Sequence, residues 1–224
     1  IGTGTSVSFT AASALTINGN VNLGVSTIFN GNSHSHTIRG NWVNNGTFTG
    51  STSTVLFDGP SLEISGSGTQ NFNNVSFLRF GITATGNLNV SGDLVTNGAG
   101  QFTHNSGGLI TMTGTAKTIT GTDIFFSSLT ISGSVTTNTS FTISSNLSVS
   151  GSFSAGSGTI IMSGTSKTIT GAGTIGFSSL QLAGTISSTS NFSISTLLDV
   201  SGTFSASVGT ATFTSSSLLS GTAN

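Results

Sequence analysis

The chain has 224 residues, of which 4% are charged, four Lys or Arg against five Asp or Glu, for a formal net charge of −1. That balance excludes nucleic acid and anionic membranes as electrostatic partners, the lack of cysteine excludes a disulfide framework or a thiolate metal site, and no run of eighteen or more apolar residues is present to form a membrane-spanning helix. With 32 glycines, one proline, no tyrosine and roughly a third Ser plus Thr, the composition lies far from ordinary globular usage, yet 16 phenylalanines recur in register with the glycines, which disordered low-complexity tracts do not show.

Taken in chain order, the segments are variations on one theme. GNWVNNGTFTGSTSTVLFDG at 40–59 has the form of NLSVSGSFSAGSGTIIMSG at 146–164. VLFDGPSLEISG at 55–66 matches ITMTGTAKTITG at 110–121, which sets Leu62 against Lys117 and Gly66 against Gly121. GNLNVSG at 86–92 matches the NLSVSG segment, and VTNGAGQFTHNSGG at 95–108 reads as a widened turn. GTAKTITG at 114–121 returns as GTSKTITG at 164–171, FSSL at 126–129 returns at 177–180, and SNLSVSGSFSA at 145–155 returns as STLLDVSGTFSA at 195–206. The chain therefore divides into three to four imperfect copies, approximately 1–54, 55–107, 108–157 and 158–224, on a period near fifty.

Within each copy the local period is two. Phe141, Ile143, Leu147, Val149 and Phe153 alternate with Ser and Thr, as do Phe192, Ile194, Val200 and Phe204. Such alternation, rich in β-branched residues and punctuated by Gly or Asn every six to ten positions, predicts half-buried strands and almost no helix. Propeller blades have a similar repeat length but carry aromatic and charged signatures in each blade. The fold expected is all-β, a single parallel β-solenoid in which each fifty-residue copy makes two or three coils. Phe9, Phe48, Phe57, Phe72, Phe141, Phe153, Phe192 and Phe204 are expected inside, with Ser, Thr and Asn outside. Lys117 and Lys167 are expected at coil corners, stems on apolar surface and ammonium groups in water.

From about Leu15 onward, GNWVNNGTFTGSTSTVLFDG, LEISGSGTQNFNNVSF and GNLNVSGDLV resemble the β-strand repeat regions of very large bacterial surface and secreted proteins, the β-helical adhesins and filamentous-haemagglutinin-like passengers. The resemblance implies an extracellular, surface-displayed or fibre-forming protein.

The chemical inventory is thin. The acids are Asp58, Glu63, Asp93, Asp123 and Asp199; a polysaccharide-cleaving β-helix needs two or three carboxylates clustered on neighbouring coils, and no spacing here assembles them. No catalytic, cofactor-binding or metal residue is assigned, and the chain is expected not to be an enzyme. His34-Ser-His36 is the one metal-like spacing; without cysteine or a nearby acid it reads as a solvated turn before the TIRGNW strand. Arg39, Arg79 and the two lysines form no basic stripe. Thr-X-Thr triplets at 111–113, 118–120 and 168–170 suggest an ice-binding face, but through the fifty-residue repeat Thr111 maps to Ile161 and Thr118 to Glu63, so no sustained rank is expected.

The chain begins at Ile1, without a signal peptide, and both IGTGTSVSFT and TATFTSSSLLSGTAN read as ordinary coil sequence without caps. The expectation is a structural segment of an extracellular bacterial fibre, surface layer or adhesin stalk that associates with itself end to end. The alternative is a binding module presenting Ser, Thr and Asn to glycans or cell-surface polymers, with ice ranked below them.

Overall fold

The computed structural model describes residues 7–97, 101–105 and 107–221. The tip of the expected widened turn, at 98–100 and 106, and the outermost residues 1–6 and 222–224 lie outside the described residues. Among the described residues there are thirty strands and no helix. The first three strands, Val7–Thr10, Thr16–Ile17 and Val21–Leu23, complete one turn, and Thr27–Asn30 then lies parallel on Val7–Thr10 with Val7 opposite Thr27. The pattern continues for about eleven turns of about 19 residues, so the protein is a parallel β-solenoid with three faces. The first face is a separate 11-stranded sheet. The second and third are joined into one 19-stranded sheet because the long strands Ser152–Met162, Thr174–Leu182 and Phe192–Val200 each serve both faces. The first two shift register near the corner, at Ala155/Thr159 and Phe177/Ser179, as bulges do where a strand bends.

The three- and four-residue strands follow from the period-two pattern, because a strand this short turns one or two side chains inward and the rest outward. Six of the eight phenylalanines expected inside are buried; Phe9 and Phe204, in outer turns, are partly buried against the same core. The interior also takes Phe29, Phe77, Phe102, Phe126 and Phe177. Thirteen rings form one unbroken column, Phe9, Phe29, Phe48, Phe72, Phe57, Phe77, Phe102, Phe126, Phe141, Phe153, Phe177, Phe192 and Phe204, with successive centroids between 4.0 and 6.3 Å apart. Such spacings suit offset and edge-to-face aromatic contacts. Trp42 is fully buried beside this column, and its indole N–H donates to Gln70 Oε1 at 2.8 Å, so the one polar atom of the ring is satisfied.

The repeated octapeptide is a corner device. In GTAKTITG and GTSKTITG, Ala116 and Ser166 have φ of 54° and 56°, and Gly121 and Gly171 have φ of 116° and 113°. The weaker copy keeps both features, with Ser61 at 52° and Gly66 at 107°. Left-handed geometry at the first position turns the chain into the strand, and the glycine five residues on turns it out again. A Cβ on Gly114 or Gly164 would collide with the carbonyl of Ser91 or Ser144 in the turn below, and would lie 2.7 or 2.6 Å from the Cγ of Lys117 or Lys167. The lysine stems thus lie across these glycines, half-buried, with the ladder continuing beyond them.

The fifty-residue period is not a whole number of turns. Lys117 pairs with Val135 and Val135 with Phe153 on the second face, which is two turns; the strand carrying Phe153 then crosses the third face before Lys167 opens a first-face strand opposite Ile186. From Lys117 to Lys167 the chain therefore advances by eight faces, two and two-thirds turns, and the two lysines lie on different faces. The expected stacking of equivalent residues is replaced by stacking of non-equivalent ones: on the first face Thr47 pairs with Thr69 and Asn71 with Asn89, turns of 22 and 18 residues.

Two substitutions test this packing. Phe102→Ala, at a ring centred 4.0 Å from Phe77, is expected to cost about 3–5 kcal/mol in denaturant unfolding, whereas Phe80→Ser, at a ring 65% exposed, should stay within about 0.5 kcal/mol. Gly121→Ala is expected to destabilise by more than about 1 kcal/mol, because it adds a clash with the Thr96 carbonyl to a positive φ.

Candidate functional site

The five acids are dispersed, and four of them, Asp58, Glu63, Asp93 and Asp199, are held by hydrogen bonds. Asp58 accepts from Arg39 Nε at 3.2 Å and from Arg79 Nε at 2.7 Å, and Arg39 also donates to Asn18 at 2.8 Å. Asn18, Arg39, Asp58 and Arg79 follow the second-face strand in four successive turns, forming a charged column up one corner. The two arginines, read from the sequence only as forming no basic stripe, are joined by one carboxylate. Their hydrogen bonds, first that of Arg79 and then that of Arg39, hold the Asp58 carboxyl below the usual carboxylate range. Asp93 accepts from the Thr118 N–H at 2.8 Å and its hydroxyl at 3.1 Å, Asp199 from Gln181 and Ser220 at 3.0 Å each, and Glu63 from Thr85 at 3.4 Å. Among the described residues no three His, Asp or Glu side chains come together.

The reading of His34-Ser-His36 as a solvated turn needs correction. His36 lies on the strand Ser35–Ile38 and is buried, with 1% of its surface exposed. Its Nε2 lies 2.8 Å from the Gly31 carbonyl, and its Nδ1 accepts from the Leu15 N–H at 3.2 Å. This assigns the proton to Nε2 and leaves neither nitrogen free for a metal. His104 is also inside, Nε2 lying 2.7 Å from the Gly86 carbonyl. Burial lowers its pKa, and the Gly86 hydrogen bond opposes the shift.

The most regular surface in the molecule is the outward side of the first face. One rank runs Thr10, Asn30, Thr49, Asn71, Asn89, Thr111, Thr130, Ser148 and Thr170, each the ladder partner of the next. Two residues earlier in each strand a parallel rank includes Ser8, Ile28, Thr47 and Thr69, then Leu109 and Ser128, then Thr168, Ser187 and Ser205. Asn89 Nδ2 donates to Asn71 Oδ1 at 2.8 Å along the first rank. Within the two ranks Thr-X-Thr itself recurs only at 47–49 and 168–170, in line with the expectation that it does not persist, but a mixed rank of Thr, Asn and Ser does continue, and the mapping behind that expectation is corrected. Thr111 lies between Asn89 and Thr130, and not beside Ile161, because adjacency follows the turn and not the fifty-residue repeat. TIT at 168–170 and TMT at 111–113 fall on this face, while TIT at 118–120 falls on the second.

None of the nine charged residues stands in either rank. Asp93 and Lys117 belong to the second face, Glu63, Asp123 and Asp199 to the third, Arg39, Asp58 and Arg79 to the corner between them, and Lys167 to the entry corner of its strand. The other faces are mixed. The second carries Thr37, Leu56, Ser76 and Val95 outward in one ladder, and the third Thr103, Phe125, Thr142, Ile161, Gln181 and Asp199. Shallow hollows of about 480 and 430 Å³ flank Phe125, lined by a mixture of Ser, Thr and Asn with apolar side chains.

No family model matches the chain, and neither the curated proteins nor the solved structures gave a match. The class that the geometry defines is a three-faced parallel β-solenoid repeat protein.

Two pH and salt effects follow. The folded His104 pKa lies below its unfolded value, so its contribution is whole above about pH 6.5 and is lost as pH falls through the folded value. Unfolding free energy is expected to decline on acidification from pH 7 to 5, by up to about 1.4 kcal/mol per pH unit, and His104→Gln should flatten that slope in denaturant titrations. Asp58→Asn is expected to cost less than about 1 kcal/mol, since both arginines are about half exposed, and the difference should vanish in molar salt.

Proposed function

We propose that the chain is a structural, self-associating segment of an extracellular fibre, surface layer or adhesin stalk, extended by contact between end turns. The observation that carries the reading is the state of those turns. At one end Val7 is 40% exposed, and Phe9, Leu15 and Ile17 border an apolar hollow that reaches Phe29. At the other, Phe213, Leu218 and Leu219 are 41%, 62% and 62% exposed, on strands that are each paired on one side. An open parallel edge above an apolar interior is completed by a further turn of the same kind. The interior supports this role, since an unbroken column of stacked and edge-to-face rings supplies stiffness along the axis. The low charge leaves little repulsion between copies.

Sedimentation and electron microscopy of the purified chain at micromolar concentration test the proposal. Concentration-dependent assemblies lengthening along the solenoid axis are expected, and Leu218→Lys combined with Leu219→Lys should shift them towards monomer by at least tenfold in concentration. A wild-type chain that stays monomeric would overturn it.

A further inference from the structure

We infer that the first face is a binding surface for ice, or for the ordered water at its boundary. The argument is independent of end-to-end association and rests on what the two ranks contain and what they leave out.

Each turn presents two outward positions on this face, and most are hydroxyl or amide. Strands lie about 4.8 Å apart, and alternate residues of a strand about 6.7 Å apart, so the polar groups fall on a two-dimensional mesh. Turns of unequal length do not disturb it, because the extra residues are taken up at the corners while the ladder pairs remain in register from Thr10 to Thr170.

Three features select the occupant. Two outward ranks free of charge, in a chain with nine charged residues, fit an uncharged partner. A polyhydroxyl chain is gripped by stacking its rings on aromatic faces, and neither rank holds an aromatic residue; the outward Phe125 is on the third face. A second copy of the same face would bury opposed hydroxyls and amides dry, at a cost for each one left unpaired. A water lattice meets every one of them with both donors and acceptors. The threonine methyl groups between the hydroxyls limit disorder in that layer.

The test uses the full chain, fluorescently labelled, in ice-affinity partition and in an ice-recrystallisation assay. Wild type is expected to enter growing ice and slow recrystallisation. Thr111→Lys combined with Thr130→Lys, adjacent in the rank, should reduce partition at least tenfold. Thr130→Lys alone should do so severalfold, which guards against a folding defect in the double variant, with circular dichroism as the check on both. Thr103→Lys combined with Thr142→Lys on the third face should partition as wild type. Exclusion of the wild type from ice would overturn the inference, as would equal losses on the two faces. Capture of the unlabelled chain by insoluble cellulose or chitin that the first-face variants abolish, without ice partition, would replace it with a glycan surface. Failure of end-to-end assembly has no bearing on these results.

Discussion

Every feature of this molecule depends on one constraint, that each turn is hydrogen-bonded in parallel to the turn below. Parallel pairing fixes the advance per turn at the spacing between strands, leaving the inside of each turn only room for side chains that can sit above and below their own kind. Phenylalanine satisfies this with a tilted ring, and thirteen of them do so in sequence. The same constraint explains the glycines. A carbonyl of one turn lies directly under a corner of the next, as Ser91 lies under Gly114 and Thr96 under Gly121, so a side chain there would separate the ladders that hold the turns together.

Charge is arranged around the same stack. A like charge on every turn would stand one strand spacing from its neighbour, close enough to repel strongly. The corner column avoids that by alternating Arg39, Asp58 and Arg79. Two of the buried polar side chains are answered from a neighbouring turn or loop: Trp42 donates to Gln70, and Asn44 bonds the Thr69 carbonyl and the Gly46 N–H. Among the described residues the interior holds no cluster of titratable side chains, and the outside sorts its few charges onto two faces and their corners.

Fold class was legible in the amino-acid pattern because alternation in a strand is set by local geometry. Phe141, Ile143, Leu147, Val149 and Phe153 show it without any knowledge of their neighbours, and all five are buried. What was not legible is adjacency between turns. The strongest signal in the chain is the fifty-residue repeat, and a reading that places repeats above one another assigns Thr111 to Ile161 and Thr118 to Glu63. The structure places Thr111 beside Asn89 and Thr130, and Thr118 beside Thr136. Turns of 17 to 25 residues share no conserved wording, since loops of different length close the same corner. The arginine and aspartate column was hidden for the same reason, as was the burial of His36: a histidine between a serine and a threonine carries no mark of the Gly31 carbonyl that receives it.

The two and two-thirds turns between Lys117 and Lys167 have a consequence for how such a chain lengthens. Duplicating that interval in a gene inserts eight faces, which rotates everything downstream by one face, and three duplications bring the original face round again. Descendants of one ancestral segment therefore wind around the shaft like the stripe on a barber's pole and do not lie upon one another. Paired strands accordingly differ in sequence even when the repeats are nearly identical, so a nascent turn finds its correct neighbour distinguishable from the copy two or three turns away. Tandem arrays whose equivalent strands stack directly offer no such distinction and are prone to misassembly.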